Sequence, residues 1–259
     1  MTQKSNPTER FTGLADAYAS YRPDYPETAL LHVIERCHLG PASLMVDVGC
    51  GTGISARAFA RFGIAVLGIE PNDEMREKAE SAASAGCVET PPKFRQGTAE
   101  KTGLADTSAD AVLCAQAFHW FDPEESLAEF HRILKPGGHC ILIWNERNEA
   151  DLFTREYGAL IRDNSEAVSV EVKRGVSGKA LLLSDLFETV GVTEFTNSQS
   201  VDEEGLLGRA FSTSYAPRRG ARAEKLRTGL SELYRRYGAG GAVTLKYTTT
   251  VYIARKNCL

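Results

Sequence analysis

A doubly wound α/β fold on a mostly parallel sheet is predicted by three observations. Apolar runs and helix signals alternate regularly through the first 145 residues. The runs are continuously apolar, as strands covered on both faces are, rather than alternating with polar residues. A glycine-rich turn follows the first run at once, in VDVGCGTGISARAFA at Val46 to Ala60, where open α/β sheets receive ligands.

A helix begins near Pro26 and closes over Val33 to Leu39, and SLMVDVG, Ser43 to Gly49, is the first buried strand. From Ser55 the spacing of Ala56, Phe59 and Ala60 marks one apolar helix face, with Gly63 as its stop. IAVLGIEP is the second strand. Asn72 caps the next helix, with Asp73 and Glu74 in its first turn facing the positive end of the helix dipole, and the helix runs to about Ala85. Strands follow at Phe94 to Gln96 and Asp110 to Ala117. Asp122, Pro123, Glu124 and Glu125 start a helix whose Leu127, Phe130, Ile133 and Leu134 face inward until KPGG ends it, and HCILIWN, His139 to Asn145, is the next strand.

Beyond Asn145 the alternation breaks down. Asp151 to Val172 reads as helical, Gly178 to Val192 as an amphipathic helix with a glycine stop, and Thr193 to Thr196 as a weak strand. Val201 to Ala216 and Arg222 to Tyr237 read as two further helices, and Thr244 to Lys256 as a closing strand. The sum is a seven-stranded sheet with helical insertions capping the carboxyl edge of its strands.

Composition bounds the function. The chain has 259 residues, 42% hydrophobic and 25% charged, ordinary values for a packed globular protein. Cys37, Cys50, Cys87, Cys114, Cys140 and Cys258 form no CxxC pair and read as reduced thiols rather than metal ligands. The polar start MTQKSNPTERF lacks a secretory core and no apolar stretch approaches 18 residues, so a cytoplasmic protein without a membrane span is expected. A net charge of −4 argues against a general nucleic-acid binder. Between Gly205 and Gly240, however, eight Lys or Arg face two acids, which makes one locally basic surface.

The glycine turn lets a ligand approach the backbone. Gly49, Gly51 and Gly53 give GxGxG, with Ile54 where a dinucleotide fingerprint has its last glycine, and no GxxxxGK[ST] is present. Asp47, two places before the first glycine, would repel a pyrophosphate and attract an ammonium or sulfonium; it can also simply satisfy its own loop. Glu70 ends the second strand about twenty residues on, where this fold places a carboxylate on ribose hydroxyls.

In order and spacing, VDVGCGTG, IEPNDEM, GTAEKTGL and ADAVLCAQAFHWFD resemble the cofactor motifs of class I S-adenosylmethionine-dependent methyltransferases, a Rossmann-like family. FTGLADAYASYRPDYP, AFHWFD and SYAPRR resemble the small-molecule branch called methyltransferase type 11, which includes enzymes similar to trans-aconitate methyltransferase. The resemblance implies S-adenosyl-L-methionine as cofactor and no metal. It divides the chain into an amino-terminal lid and first helix (1–40), a cofactor-binding core (41–146), and cap insertions with the remaining strands (147–259).

It also implies roles. Asp47, Gly49, Gly51 and Gly53 surround the methionyl part, Glu70 binds the ribose, and Asn72 and Met75 lie beside adenine or ribose. Ala99 offers its backbone, Glu100 stands near the adenine, and Gln116 lines the reactive end; Thr98 stands where many members carry an acid. Tyr18 to Pro26 forms a lid in which Tyr21 and Arg22 meet the cofactor carboxylate, or its aromatics pack the first helix on the sheet. His119 is a candidate general base or a shaping residue. Tyr18, Trp120, Arg218 and Arg219 are candidates for the acceptor, with a solvated face the alternative for the arginines. Methyl transfer to an oxygen of a small molecule, such as a carboxylate or hydroxyl, is the favoured function. Transfer to nitrogen, carbon or nucleic acid, and cofactor binding without catalysis, are the alternatives; a dehydrogenase is disfavoured by Ile54.

Overall fold

The computed structural model describes residues 13–86, 88–165 and 178–257. Seven strands form one sheet: β1 (Leu44–Val48), β2 (Ala65–Ile69), β3 (Lys93–Arg95), β4 (Ala109–Ala115), β5 (Leu134–Arg147), β6 (Phe187–Val201) and β7 (Val243–Lys256). Their order is β3-β2-β1-β4-β5-β7-β6. The first five strands are parallel, and β7 runs antiparallel between β5 and β6. The connections wind outward in opposite directions from β1 and β4, so the crevice at their carboxyl ends is the switch point where such sheets take ligands.

Period-two alternation in β1 sends Met45 to one face and Val46 to the other. Met45 joins Leu113, Ile141 and Ile143 beneath α2 (Glu27–Arg36) and α3 (Ile54–Ala60). Val46 joins Val112, Leu142 and Trp144 against Leu127, Phe130 and Ile133 of α5 (Pro123–Ile133). Asn72 caps α4 (Asp73–Ser84), its Oδ1 accepting from the Met75 N–H at 3.0 Å, and Asp122 caps α5 with Pro123 in its first turn. The KPGG segment turns through Gly137, whose φ is 77°, before His139 falls into register with Ala111.

A third cluster stands beyond the carboxyl edge. There α6 (Leu152–Asn164), α7 (Glu203–Phe211) and α8 (Ala221–Tyr237) pack Tyr157, Leu206 and Leu230 onto Val243, Leu245 and Tyr247 of β7. The lid helix α1 (Ala15–Tyr21) lies against α7, with the Tyr21 ring filling the space a side chain at Gly208 would need. This is the expected cap.

One expectation is corrected. Of the helix expected over Gly178 to Val192, residues 178–182 are helical, and from Phe187 the chain is a fifteen-residue strand. The leucines of 181–186 have helical spacing, but β7 presents fourteen residues of unpaired edge, and pairing from Phe187↔Lys256 to Val201↔Val243 satisfies it. Of the helix expected over Asp151 to Val172, α6 ends at Asn164 and 166–172 lie outside the described residues, as do Cys87, Cys258 and the polar start. Cys37, Cys50, Cys114 and Cys140 are free and buried.

Phe130 is fully buried where α5 meets the sheet. Phe130→Ala should cost about 3–5 kcal/mol, read as a lowered urea midpoint at unchanged slope.

Candidate functional site

A cavity of about 320 Å³ opens at the switch point. The glycine turn supplies Gly49 and Gly51, the end of β2 and the start of α4 supply Glu70 and Met75, the loop after β3 supplies Ala99 and Glu100, and the end of β4 supplies Gln116. Tyr18 of the lid and Trp120 close it. The sequence therefore brings nine of its candidates onto one wall.

Glu70 ties this wall together. Its Oε2 accepts the Gly51 N–H at 2.9 Å and its Oε1 the Asn72 N–H at 2.9 Å, so one carboxylate clamps the turn after β1 to the turn after β2. Burial raises its pKa, against the pull of those two amides. Gly49 has a φ of 69°, and a Cβ there would lie 2.8 Å from both the Ala117 Cβ and the Phe121 Cζ. Its bareness is thus set by conformation and by neighbours together. Gln116 is a non-glycine residue at φ 60°, held by its N–H on the Ile143 carbonyl at 2.8 Å and its side-chain amide on the Asn145 carbonyl at 3.3 Å. Such a backbone persists only where the surroundings enforce it, and it turns the β4 end into the cavity.

Other candidates stand behind the wall. Asp47 is fully buried; its Oδ2 accepts from the Ser55 hydroxyl at 2.5 Å, and its Oδ1 has no hydrogen-bond partner. Burial pushes its carboxyl up to about 7, the Ser55 hydrogen bond opposing and the Glu70 charge adding to the shift. Gly53, at φ 74°, precedes α3, and a Cβ there would meet the Phe94 ring at 2.8 Å, so the third glycine serves packing. Asn72 is buried as the cap of α4. His119 is buried in the short 3-10 turn after β4, its ring 4.7 Å from that of Trp120, and it lines no cavity described here.

The lid divides its candidates. Arg22 stacks over the Tyr18 ring at 4.5 Å, donates to the Ser212 carbonyl at 3.1 Å, and lines a narrow second cavity of about 40 Å³. Tyr21 turns outward and donates to Glu204 Oε1 at 3.3 Å. Arg218 and Arg219 are exposed and line neither cavity. Two residues not anticipated do line the second: Asn145 and Arg209. Asn145 had a legible signal, a polar residue ending an apolar strand as Glu70 and Gln116 do. Arg209 had only its share in a basic segment.

The large cavity suits a ligand with hydroxyls and a cationic part. Among the described residues no Lys or Arg lines it, whereas Glu70 does, and the orphaned Asp47 Oδ1 lies beneath. A pyrophosphate would meet negative charge and no cationic side chain to offset its own. Among the described residues no group of three or more His, Cys, Asp or Glu is placed to hold a metal, and no helix is long and apolar enough to cross a membrane.

Comparison with known proteins gives the family. Residues 46–142 match the family model described as a methyltransferase domain. An uncharacterised methyltransferase of Mycobacterium tuberculosis is 34% identical over 205 residues, 79% of this chain and 76% of that protein. A Saccharomyces cerevisiae protein described as an S-adenosylmethionine-dependent methyltransferase is 27% identical over 197 residues, 70% of this chain and 66% of its own. Among solved structures, one described as a type II methyltransferase of Anaeromyxobacter dehalogenans shares the fold with a TM-score of 0.65 at 21% identity, covering 93% of this chain and 99% of that one.

Asp47 makes stability depend on pH. Its folded pKa of about 7 exceeds the ordinary 3.8, so between those values the folded state keeps a proton that the unfolded state has released. The cofactor-free protein should therefore lose stability as pH rises through that window. Urea unfolding of wild type and Asp47→Asn at about pH 5 and about pH 8 checks this: the stability difference should move against the wild type at the higher pH.

Proposed function

This chain belongs to the S-adenosylmethionine-dependent methyltransferases, and on that premise we propose that it methylates an oxygen of a small organic acceptor, a carboxylate or a hydroxyl. The observation that carries the reading is the chemistry of the reactive end. Ala115, Gln116, Ala117, Trp120 and Phe121 form that end of the large cavity, and among these there is no His, Lys, Asp or Glu. An ammonium, a carbon acid or a hydroxyl must surrender a proton before or during transfer, whereas a carboxylate is already ionised near neutrality, so of the two oxygen acceptors the site favours the carboxylate. The narrowness of the adjoining cavity, about 40 Å³ under the lid, supports a small acceptor over a macromolecule.

When bound, S-adenosylmethionine supplies an electrophilic methyl group on a sulfonium and departs as the neutral thioether. The chain has to align and dry the reactants, because in-line displacement gains most from positioning and exclusion of water. In this reading Gly49 and Gly51 admit the methionyl part to the backbone, while Asp47 orients the turn through Ser55 and lends negative charge from beneath. Gly53 packs the helix behind it. Glu70 receives the ribose hydroxyls without releasing the loop, and Asn72 shapes the turn that brings Met75 beside the adenine. Ala99 and Glu100 border the adenine on the other side. Arg22, stacked on Tyr18, meets the cofactor carboxylate, and Tyr21 fastens the lid to α7. Gln116 marks the reactive end and Trp120 borders the acceptor. His119 acts by holding Trp120, and Arg218 and Arg219 bias the approach of an anion.

Three measurements test this. A panel of small carboxylic acids, phenols and amines with methyl-labelled cofactor should give base-labile methyl esters or ethers; label carried only by amines would sink the oxygen assignment. Glu70→Ala should weaken binding of S-adenosylhomocysteine by about ten- to a hundredfold, and His119→Asn should leave the pH profile of the rate in place, where loss of a base would remove about a hundredfold or more and its pH limb.

A further inference from the structure

We propose that Arg209 is the anion anchor of the acceptor site, pairing with a carboxylate of the acceptor while the nucleophilic oxygen lies at Gln116. The inference rests on the methyltransferase reading above and adds to it a residue and a charge requirement.

Arg209 sits on α7 and is only 5% exposed. Its Nε donates to the Tyr247 hydroxyl at 3.3 Å, and its Nη1 is buried without a hydrogen-bond partner. Among the described residues no carboxylate pairs with it; the groups within range of its charge are the phenols of Tyr247, Tyr157 and Tyr215. The Tyr157 hydroxyl, fully buried, also has no partner. A guanidinium taken out of water with neither counter-ion nor full hydrogen bonding is costly, and chains keep one where an anion completes it.

Its position says which anion. The second cavity shares Tyr18, Gly49 and Gln116 with the large cavity, and a third, of about 260 Å³, shares Arg22, Asn145 and Arg209 with the second. The three thus adjoin in a row from the glycine turn, past Gln116, to Arg209. The third also has Arg147, Tyr215, Glu146 and Glu149 on its wall, and it contains no residue of the glycine turn. Glu149 is engaged by Arg162 and Glu146 is exposed, which leaves Arg209 as the buried charge facing that space. Arginine grips a carboxylate through two parallel N–H donors, so the pairing fixes orientation as well as place. The cofactor's own carboxylate is the rival source of the same chemistry. Arg22 lines the same second and third cavities but already donates to the Ser212 carbonyl, whereas Arg209 belongs to the cap and keeps a buried Nη1 without a partner.

Titration calorimetry on the full chain separates the possibilities. S-adenosylhomocysteine is bound first, and benzoate, succinate and trans-aconitate are then titrated onto the complex beside their primary amides. We expect at least one acid to bind and its amide to fail. Arg209→Gln should weaken that acid by about a hundredfold and leave the affinity for S-adenosylhomocysteine unchanged. If Arg209→Gln does not fold, Arg209→Lys, which keeps the charge and loses the fork, should weaken the acid without touching S-adenosylhomocysteine. Acid binding indifferent to both variants, a loss that falls on S-adenosylhomocysteine instead, or a wild-type complex that takes none of the acids would each overturn the anchor while leaving the methyltransferase reading intact. Failure of S-adenosylhomocysteine to bind the wild type would strike at that reading itself.

Discussion

One carboxylate holds this site in shape. Glu70 accepts an N–H from Gly51 with one oxygen and from Asn72 with the other, and so locks the loops that leave β1 and β2 at the switch point of the sheet. The β1 and β2 side of the cavity wall follows from that clamp. Gly51 is drawn down, Gly49 must take a left-handed backbone against Ala117 and Phe121, and Asn72 is oriented to cap α4 and present Met75. Hydrogen bonds to a charged acceptor in a buried setting are among the stronger polar contacts available, which suits a group that must organise two loops at once.

The clamp has a cost, because Asp47 is buried close by with one oxygen unsatisfied. Two acids raised by burial, Glu70 on a wall that carries no Lys or Arg among the described residues and Asp47 behind it, make a region that a cationic ligand stabilises. The same preference that selects the cofactor thus also couples its binding to the proton carried by Asp47, since a positive neighbour favours the ionised carboxyl.

The roof is built by a different logic. Asn145, at the end of β5, donates to the Asp24 carbonyl and accepts from Thr249 and Asn197, and Asn197 donates to the same carbonyl. Gln199 donates to the Tyr21 carbonyl and Arg22 to that of Ser212. The segment from Tyr21 to Asp24 is therefore sewn to β5, β6 and the cap through backbone carbonyls. That network exists only because β6 is a full-length strand: a helix over Gly178 to Val192 would leave Asn197 and Gln199 without the register that aims them.

Local chemistry determined a good part of this in the sequence alone. The parallel core was legible because buried strands must be apolar throughout and because Asn72 and Asp122 cap their helices by rules that operate within four residues. The glycine turn and Glu70 were legible because a ligand's approach and a strand-end acid leave marks at known spacing. Long-range pairing decided the rest. Gly178 to Val192 carries leucines at helical intervals, and only the unpaired edge of β7, more than forty residues away, makes its last six residues a strand. Arg218 and Arg219 were indistinguishable from Arg209 as letters. Which arginine lies inside depends on how α6, α7 and α8 pack around Tyr157 and Tyr247, and burial of that kind is a property of the assembled core that no neighbouring residue encodes.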